Sequence, residues 1–198
     1  MQENIPQKLH SSLEKASKDV QTTNLDSTPI ITTIHGVETL SPVIHNDHRG
    51  RVFEIWNGKN DPNSFWEEQV VYSYMFSIRV NQIKGWGLHE FKEDRYTLIK
   101  GEVLNVLFDA RTDSKTYGMV QKVYLSEQGN RSLKIPIGVW HCNINIGETE
   151  AMLVNFPTKV YNHLAPDRLL LPWNTPEIPV DLTQFFPVQH MSYCKCGC

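Results

Sequence analysis

The sequence has little of what marks membrane, nucleic-acid-binding or secreted proteins. Its longest apolar run has four residues, at 151–154, whereas a transmembrane helix needs about 20. Basic residues are not in excess, because 19 Lys and Arg accompany 22 Asp and Glu, and the net charge is −3. That balance argues against sequence-independent nucleic-acid binding. The polar residues 1–24 lack the apolar centre of a signal peptide. We therefore expect neither a membrane nor a nucleic-acid partner.

Cysteine is scarce too, and its placement excludes a disulfide framework for a domain of this size. Three of the four cysteines, Cys194, Cys196 and Cys198, crowd the last five residues. We therefore expect a reducing, cytoplasmic setting. Two interpretations of the tail stay open. Its thiolates could bind a soft metal together with His190, or the tail is a disordered, oxidisable segment or forms an intermolecular contact. Cys142 is expected to be a buried apolar residue.

Long segments with helical periodicity are missing from the centre of the chain, where short strands are predicted instead. Runs of β-branched and aromatic residues alternate there with turn signals. They cover residues 70–80, 96–99, 103–108, 120–125, 132–135 and 151–156. This spacing predicts an all-β antiparallel sandwich or barrel. We place this domain at residues 31–183, after a polar arm with a short helix near 8–20 and before a tail that starts at 184.

The second half of the domain contains one complete motif. Residues 135–145 fit the pattern P-x-G-x-x-H-x-x-x-N, with His141 as the histidine. Pro136 and Gly138 favour a tight turn that leads into a strand, which would deliver His141 into the interior. Upstream, Gly101 is expected to permit the turn of a first hairpin.

A partial motif precedes it. Residues 85–101 fit H-x-H-x-x-E-x6-G from His89 onwards, except that Phe91 stands at the second histidine and Asp94 at the glutamate. In this order, the two segments resemble the two cupin motifs. The resemblance implies a double-stranded β-helix, the cupin jelly roll, in which His89 and His141 face one cavity.

A closer resemblance covers residues 36–180. Seven stretches match, in the same order, the dTDP-4-dehydrorhamnose 3,5-epimerase family, which is the sugar-nucleotide branch of the cupins. They lie at residues 47–54, 87–89, 101–111, 114–118, 135–138, 158–161 and 173–176. The resemblance implies an enzyme that acts on a dTDP-linked 4-keto-6-deoxy sugar without metal or organic cofactor. It also implies a homodimer with early strands exchanged between the subunits.

The resemblance assigns roles within the pocket. The 4-keto group acidifies the hydrogens at C3 and C5, so a base can remove one to form an enolate, and a proton then returns from the other face. A histidine suits this base. By resemblance the base is His89, and His141 lines the same pocket. Arg49 and Glu54 match the stretch that holds the nucleotide in the family.

Several family positions carry different residues here. The family's phosphate-binding arginine is replaced by Trp86, and the lysine that polarises the keto oxygen is replaced by Asp94. The tyrosine proposed as the acid corresponds to Asn155. The aspartate that orients the catalytic histidine has no counterpart after Pro176. His89 is thus retained, while the acid, the lysine and the orienting carboxylate are missing from their family positions.

Other residues must then substitute, or the reaction has changed. Segment 84–94 resembles a side branch of the family with the pattern Lys-x-Trp-x-x-His…Asp, and Asp94 could raise the pKa of a neighbouring histidine. The predicted catalytic residues are His89, His141, Asp94 and Tyr161. The predicted substrate-binding residues are Arg49, Glu54, Lys84, Trp86, Tyr96, Trp140 and Asn155. The charged residues Glu90, Lys92 and Glu93 are expected to point outward or to rim the pocket.

Two other functions stay open. His89, Asp94 and His141 could form a metal site of two histidines and one carboxylate, although Phe91 occupies a ligand position of metal cupins. Alternatively, the chain binds a sugar nucleotide without catalysis, through aromatic stacking. The tryptophans available for stacking are Trp56, Trp66, Trp86 and Trp140, of which two neighbour the motif histidines.

Overall fold

The chain divides into two compact units, Met1–Thr32 and Thr33–Cys198. The computed structural model describes residues 21, 23–27, 33–57 and 69–185. In the first unit, the described residues include a turn in which the Ser27 amide donates to the Asn24 carbonyl at 3.0 Å. The expected helix near residues 8–20, Trp66 and the cysteine tail lie outside the described residues.

Within its described residues, the second unit consists of short strands and one 3-10 helix, Thr183–Phe185. The strands are β1 (Glu38–Leu40), β2 (Ile44–Asp47), β3 (Gly50–Phe53), β4 (Tyr74–Ile78), β5 (Ile83–Leu88), β6 (Asp94–Lys100), β7 (Glu102–Asp109), β8 (Val120–Ser126), β9 (Ser132–Ile135), β10 (Val139–Asn145), β11 (Ala151–Asn155) and β12 (Leu169–Leu170). This confirms the all-β prediction. In the part of the chain that the structure describes, no helix is long and apolar enough to cross a membrane.

Ten of these strands form two five-stranded antiparallel sheets. The first sheet has the order β1-β9-β6-β11-β4, and the second has the order β12-β5-β10-β7-β8. Strands β2 and β3 pair separately as a hairpin. Because sequence neighbours such as β6 and β7 lie in different sheets, the chain crosses between the sheets along its length. This is the predicted jelly-roll arrangement.

Apolar side chains from both sheets pack into a common core. Leu98, Leu133 and Leu153 of the first sheet join Val103 and Leu107 of the second, and all five are fully buried. Alternation along each strand sends every second residue into this core. Full burial of such a side chain stabilises the fold by roughly 2 kcal/mol.

A second core covers the other face of the second sheet. Leu104 of β7 and Cys142 of β10 pack there in one cluster with Ile178 and Leu182 of the segment at residues 171–185. Strands β7 and β10 are therefore buried on both faces, and β7 accordingly has a nearly continuous apolar sequence. The prediction that Cys142 is a buried apolar residue is confirmed.

Gly101 does not close a hairpin, which corrects the prediction from the sequence. It joins β6 and β7, which belong to different sheets, and its φ is +90°. A Cβ on Gly101 would lie 2.9 Å from the Cα of Ala151 in β11. Glycine therefore permits a close crossing between the sheets, where both the backbone conformation and the space exclude a side chain.

We expect Gly101→Ala to lower the free energy of unfolding by about 3 kcal/mol, because it adds a backbone contact to the cost of a positive φ. Gly118→Ala is the matched control, since Gly118 has φ of +78° but open space around its Cβ position. The free energy of unfolding of Gly118→Ala should fall only by the cost of the positive φ, about 1 kcal/mol. Urea unfolding of both variants measures the difference, and equal losses would contradict a close approach at Gly101.

Candidate active site

Side chains from both sheets line a cavity of about 420 Å³. Its lining consists of Tyr72, Tyr74, Phe76, Lys84, Gly85, Gly87, His89, Lys92, Asp94, Tyr96, His141, Asn143, Tyr161, His163, Arg168 and Leu170. Six residues of the predicted site lie in this lining: His89, His141, Asp94, Tyr161, Lys84 and Tyr96. The motif histidines therefore do share one cavity.

The two histidines lie side by side, with ring centroids 5.5 Å apart. His89 directly follows β5, and its Nδ1 faces the backbone carbonyl of Asp167, while its Nε2 lies 3.1 Å from Asp94 Oδ2. His141 is on β10, and its Nδ1 lies 3.3 Å from the Val139 carbonyl. The His141 Nε2 is 3.6 Å from Asp94 Oδ2, which is longer than a hydrogen bond.

These contacts leave different nitrogens free on the two rings. Both nitrogens of His89 face oxygen atoms, so neither is left without a partner. His141 Nδ1–H donates to the Val139 carbonyl, which leaves a lone pair on Nε2. Burial lowers the pKa of His141 to about 4, helped by the nearby His89 and Lys92 and opposed by Asp94. His141 is therefore neutral at pH 7.

Gly87 keeps the His141 Nε2 accessible. The two residues are register partners in β5 and β10. A Cβ on Gly87 would lie 3.2 Å from the His141 Nε2, which is tighter than ordinary contact. Because glycine stands here, this nitrogen borders the open cavity.

Asp94 lies at the centre of the hydrogen-bond network of the site, and it is 2% exposed. Its Oδ1 accepts hydrogen bonds from Lys92 Nζ at 3.0 Å and from Asn155 Nδ2 at 2.8 Å. Its Oδ2 accepts from Tyr96 Oη at 3.0 Å and from His89 Nε2. Burial alone would raise the pKa of Asp94, but the hydrogen bond from His89 and the positive groups nearby outweigh it and hold that pKa below its usual range. Asp94 is therefore a carboxylate with four donors.

Lys92 is buried in the cavity wall, whereas the sequence analysis expected it to point outward or to rim the pocket. It is 5% exposed, and a lysine at that depth requires a charged partner, which Asp94 provides. Period-two alternation extends from β6 back to Lys92, so that Lys92, Asp94 and Tyr96 share one face. Phe91, which stands at a ligand position of the motif, is instead 61% exposed. The alternation was a signal in the sequence that could have identified Lys92.

Trp86 faces away from the cavity, which corrects its predicted role as a pocket residue. Lys84 pairs with Asn143 and Gly87 pairs with His141, so three residue steps of β5 match two of β10. This bulge places Lys84 and Gly87 on the cavity side. Trp86 turns to the opposite face, where it is 1% exposed and belongs to the second core.

Trp140 and Asn155 also lie outside the cavity lining. Trp140 precedes His141 on a regular strand, so alternation directs it to the second core, as it does Cys142. Asn155 is fully buried behind the site, where it donates to Asp94. Asn155 therefore positions the carboxylate rather than lining the space for a ligand.

Arg49 and Glu54 are not among the residues that line this chain's own cavity. Arg49 lies at the tip of the β2–β3 hairpin, where its side chain is 78% exposed and pairs with Asp47. Glu54 follows the hairpin and is exposed. Arg51 and Glu127 form an ion pair that fastens the hairpin to the turn after β8. The hairpin tip thus presents its charges to solvent in the single chain.

His89, Asp94 and His141 also bring three ligand atoms within 4.8 Å of one another. Two histidines and one carboxylate are a known donor set for divalent metals. Lys92 Nζ, however, already forms an ion pair with Asp94 Oδ1 at 3.0 Å. That ammonium group would repel a divalent ion, so the arrangement favours an ammonium as the cation of this site.

Comparisons with known proteins identify the family. The family model for dTDP-4-dehydrorhamnose 3,5-epimerase matches residues 31–193. A spore coat polysaccharide biosynthesis protein of Bacillus subtilis is 32% identical over 71% of this chain and 91% of its own length. A probable low-salt glycan biosynthesis epimerase of Haloferax volcanii is 28% identical, over 71% of this chain and 89% of that protein.

Solved structures agree on the fold. A dTDP sugar isomerase from Desulfovibrio desulfuricans superposes with a TM-score of 0.68 at 22% identity, over 75% of this chain and 91% of the other. A 3'-monoepimerase from Streptomyces bikiniensis, solved with dTDP-quinovose, superposes with a TM-score of 0.65 at 22% identity, over 75% and 76% of the two chains. With the family model matched across the whole β-domain, the chain is an enzyme of the dTDP-4-dehydrorhamnose 3,5-epimerase family.

Proposed function

We propose that this chain is a cofactor-free epimerase or isomerase of a dTDP-linked 4-keto-6-deoxy sugar, working through histidine-mediated enolisation. The observation that carries the proposal is the pairing of a neutral imidazole nitrogen with a buried cation in one cavity. His141 Nε2 can accept a proton, and Lys92 with its partner Asp94 lies beside it. Enolisation next to a ketone needs this combination of base and positive charge.

In the proposed mechanism, His141 removes the C–H hydrogen next to the keto group. His89, the base implied by the resemblance, is less suited to that role because both of its nitrogens face acceptors. We assign Lys92 to the developing enolate oxygen, which a positive group within hydrogen-bond distance stabilises. Asp94 balances the charge of Lys92 and holds both Lys92 and His89 in position.

Positive residues at the cavity suit the diphosphate of a nucleotide sugar. Lys84 and Arg168 both line the cavity, and both are exposed to solvent. Burial and the charge of Asp94 raise the pKa of Tyr74, and Arg168 lies close enough to Tyr74 for its charge to offset part of that rise. We propose that these two residues hold the diphosphate, which is the task of the arginine that Trp86 replaces. Guanidinium and ammonium groups are the usual partners of phosphate oxygens.

We also propose a homodimer in which the β2–β3 hairpin serves the partner's cavity. Two exposed apolar residues, Val43 just before the hairpin at 73% and Val52 within it at 69%, present a surface that a second copy could cover. Arg49 and Glu54 would then contact the nucleotide in the neighbouring subunit. This arrangement accounts for a predicted binding pair that lies away from the cavity of its own chain.

Mixing of inactive variants tests this arrangement. Arg49→Ala and His141→Asn homodimers should each be weak, and subunit exchange between them should restore about a quarter of wild-type activity. Half of the randomly mixed dimers are hybrids, and each hybrid has one intact site. If Arg49 acted in its own subunit, no hybrid would contain an intact site and mixing would restore nothing. Activity against mixing time is the measurement.

Proton NMR of dTDP-4-keto-6-deoxyglucose with the enzyme in D2O tests the reaction itself. Deuterium at C3 or C5 with inverted configuration would support epimerisation, and migration of the keto group would support an isomerase. Binding of dTDP without any exchange would instead favour the non-catalytic binder. Activity that disappears with a chelator and returns with one added divalent metal would favour the metal site.

A further inference from the structure

Inversion at carbon requires a proton donor on the side of the cavity opposite to the base. His141 belongs to β10 of the second sheet. Tyr74 belongs to β4, the edge strand of the first sheet, and lines the same cavity. The lining therefore offers one reactive group from each sheet, His141 from the second and Tyr74 from the first.

We propose that Tyr74 is the acid that returns the proton to the substrate carbon. This inference rests on the proposed function. Tyr74 and Asn155 are register partners in β4 and β11, so the phenol reaches the cavity from the strand next to the one that bears Asn155. The chain would thereby supply, from β4, the acid that Asn155 itself cannot provide.

The hydrogen bonds of Asn155 determine where the Tyr74 hydroxyl points. Asn155 Oδ1 accepts from the Arg95 amide at 2.9 Å, which fixes the orientation of the side-chain amide. Its Nδ2 donates one hydrogen to Asp94 at 2.8 Å and the other to Tyr74 Oη at 2.9 Å. Since Tyr74 Oη accepts in this pair, its own hydrogen remains available for the cavity.

The other candidate acids are less well placed. Tyr96 donates its hydroxyl hydrogen to Asp94 Oδ2, so that hydrogen is engaged. Tyr161 follows β11 in a loop, and its ring packs edge-on against His163 at 4.8 Å. Burial, reinforced by the charge of Asp94, raises the pKa of Tyr74 to about 12, and the phenol is therefore protonated at neutral pH. An enolate carbon is basic enough to take a proton from such a phenol.

The steps balance without an oxidant or a co-reactant. The substrate C–H bond breaks, its proton goes to His141 Nε2, and the electron pair moves to the keto oxygen as an enolate. A new C–H bond then forms on the opposite face as the Tyr74 O–H bond breaks and the carbonyl re-forms. The phenolate regains a proton from water, and His141 releases one to water. The substrate is neither oxidised nor reduced.

Tyr74→Phe tests the proposal by separating exchange from inversion. In D2O, the variant should still exchange the substrate hydrogen through His141, because the base is intact, and the enolate should be reprotonated on the original face. Epimer formation should fall by at least about 100-fold, the usual contribution of a general acid. Retained exchange also shows that the variant is folded. One-dimensional proton NMR follows both quantities in a single sample.

Tyr124→Phe is the matched control, since Tyr124 is an exposed phenol of β8 that lies outside the cavity lining. It should keep more than half of the inversion rate. Wild-type inversion by Tyr74→Phe would overturn the proposal, as would loss of exchange together with inversion, or loss of inversion in Tyr161→Phe alone. If the wild-type enzyme exchanges no hydrogen, the proposed function fails rather than the assignment of Tyr74.

Discussion

His141→Asn is expected to reduce kcat/KM for the sugar epimerisation by on the order of 10³-fold, within the range for loss of a general base. Asparagine keeps a polar group of similar size but cannot accept the substrate proton. Hydrogen–deuterium exchange into the substrate should disappear together with inversion. His35→Asn is the matched control, because His35 is exposed and lies outside the cavity lining. Exchange that survives in His141→Asn but disappears in His89→Asn would return the role of base to His89.

The pH dependence follows from the same residue. His141 must be neutral to act, and with a pKa of about 4, kcat/KM should stay constant from pH 7 down to about pH 5 and fall near pH 4. Stability should instead change over the whole interval between the two pKa values of His141, in the unfolded and in the native chain. The unfolded chain protonates His141 near pH 6.5 and the native chain only near pH 4, so the free energy of unfolding decreases as the pH falls between these values. His141→Asn should remove that part of the decrease.

Lys92→Met should reduce kcat by about 10²- to 10³-fold, because the enolate oxygen loses a positive partner. It should also lower the free energy of unfolding by about 3 kcal/mol, since the buried Asp94 carboxylate would lose its ammonium. Steady-state kinetics and urea unfolding measure the two effects.

A double variant separates these two roles of Lys92. Lys92→Met with Asp94→Asn removes both charges, so most of the lost stability should return. The rate should stay low, because neither substitution supplies a cation for the enolate. A double variant with wild-type kcat would contradict the assignment of Lys92 to the reaction.

The sequence was sufficient to predict the sheet architecture and the central groups of the site. Strands in the middle of the domain are long enough for their β-branched and aromatic residues to stand out, and β7, β8 and β9 were predicted within about two residues. The motif spacing also brought His89, Asp94 and His141 together. In each case the signal is local, because it depends on residue type and on alternation within a single strand.

Other features depend on pairing between strands, which one strand's sequence does not encode. The orientation of Trp86 follows from a bulge that is defined only against β10. Gly101 marks a crossing between sheets rather than a hairpin, because β6 and β7 pair with strands of different sheets and not with each other. Tyr74 enters the site through its pairing with Asn155, 81 positions along the chain. No motif around Tyr74 indicates that contact.

Residues 171–185 cover one face of the second sheet, and the reactivity of Cys142 beneath them can report when this segment detaches from the sheet. Its thiol lies on β10 next to His141 but on the other side of the sheet, in one cluster with Ile178 and Leu182. Burial raises the pKa of the Cys142 thiol, so it is protected from alkylation while the cover is in place. The rate of labelling at Cys142 therefore measures how often the cover lifts from the strand that bears the proposed base, without any engineered probe.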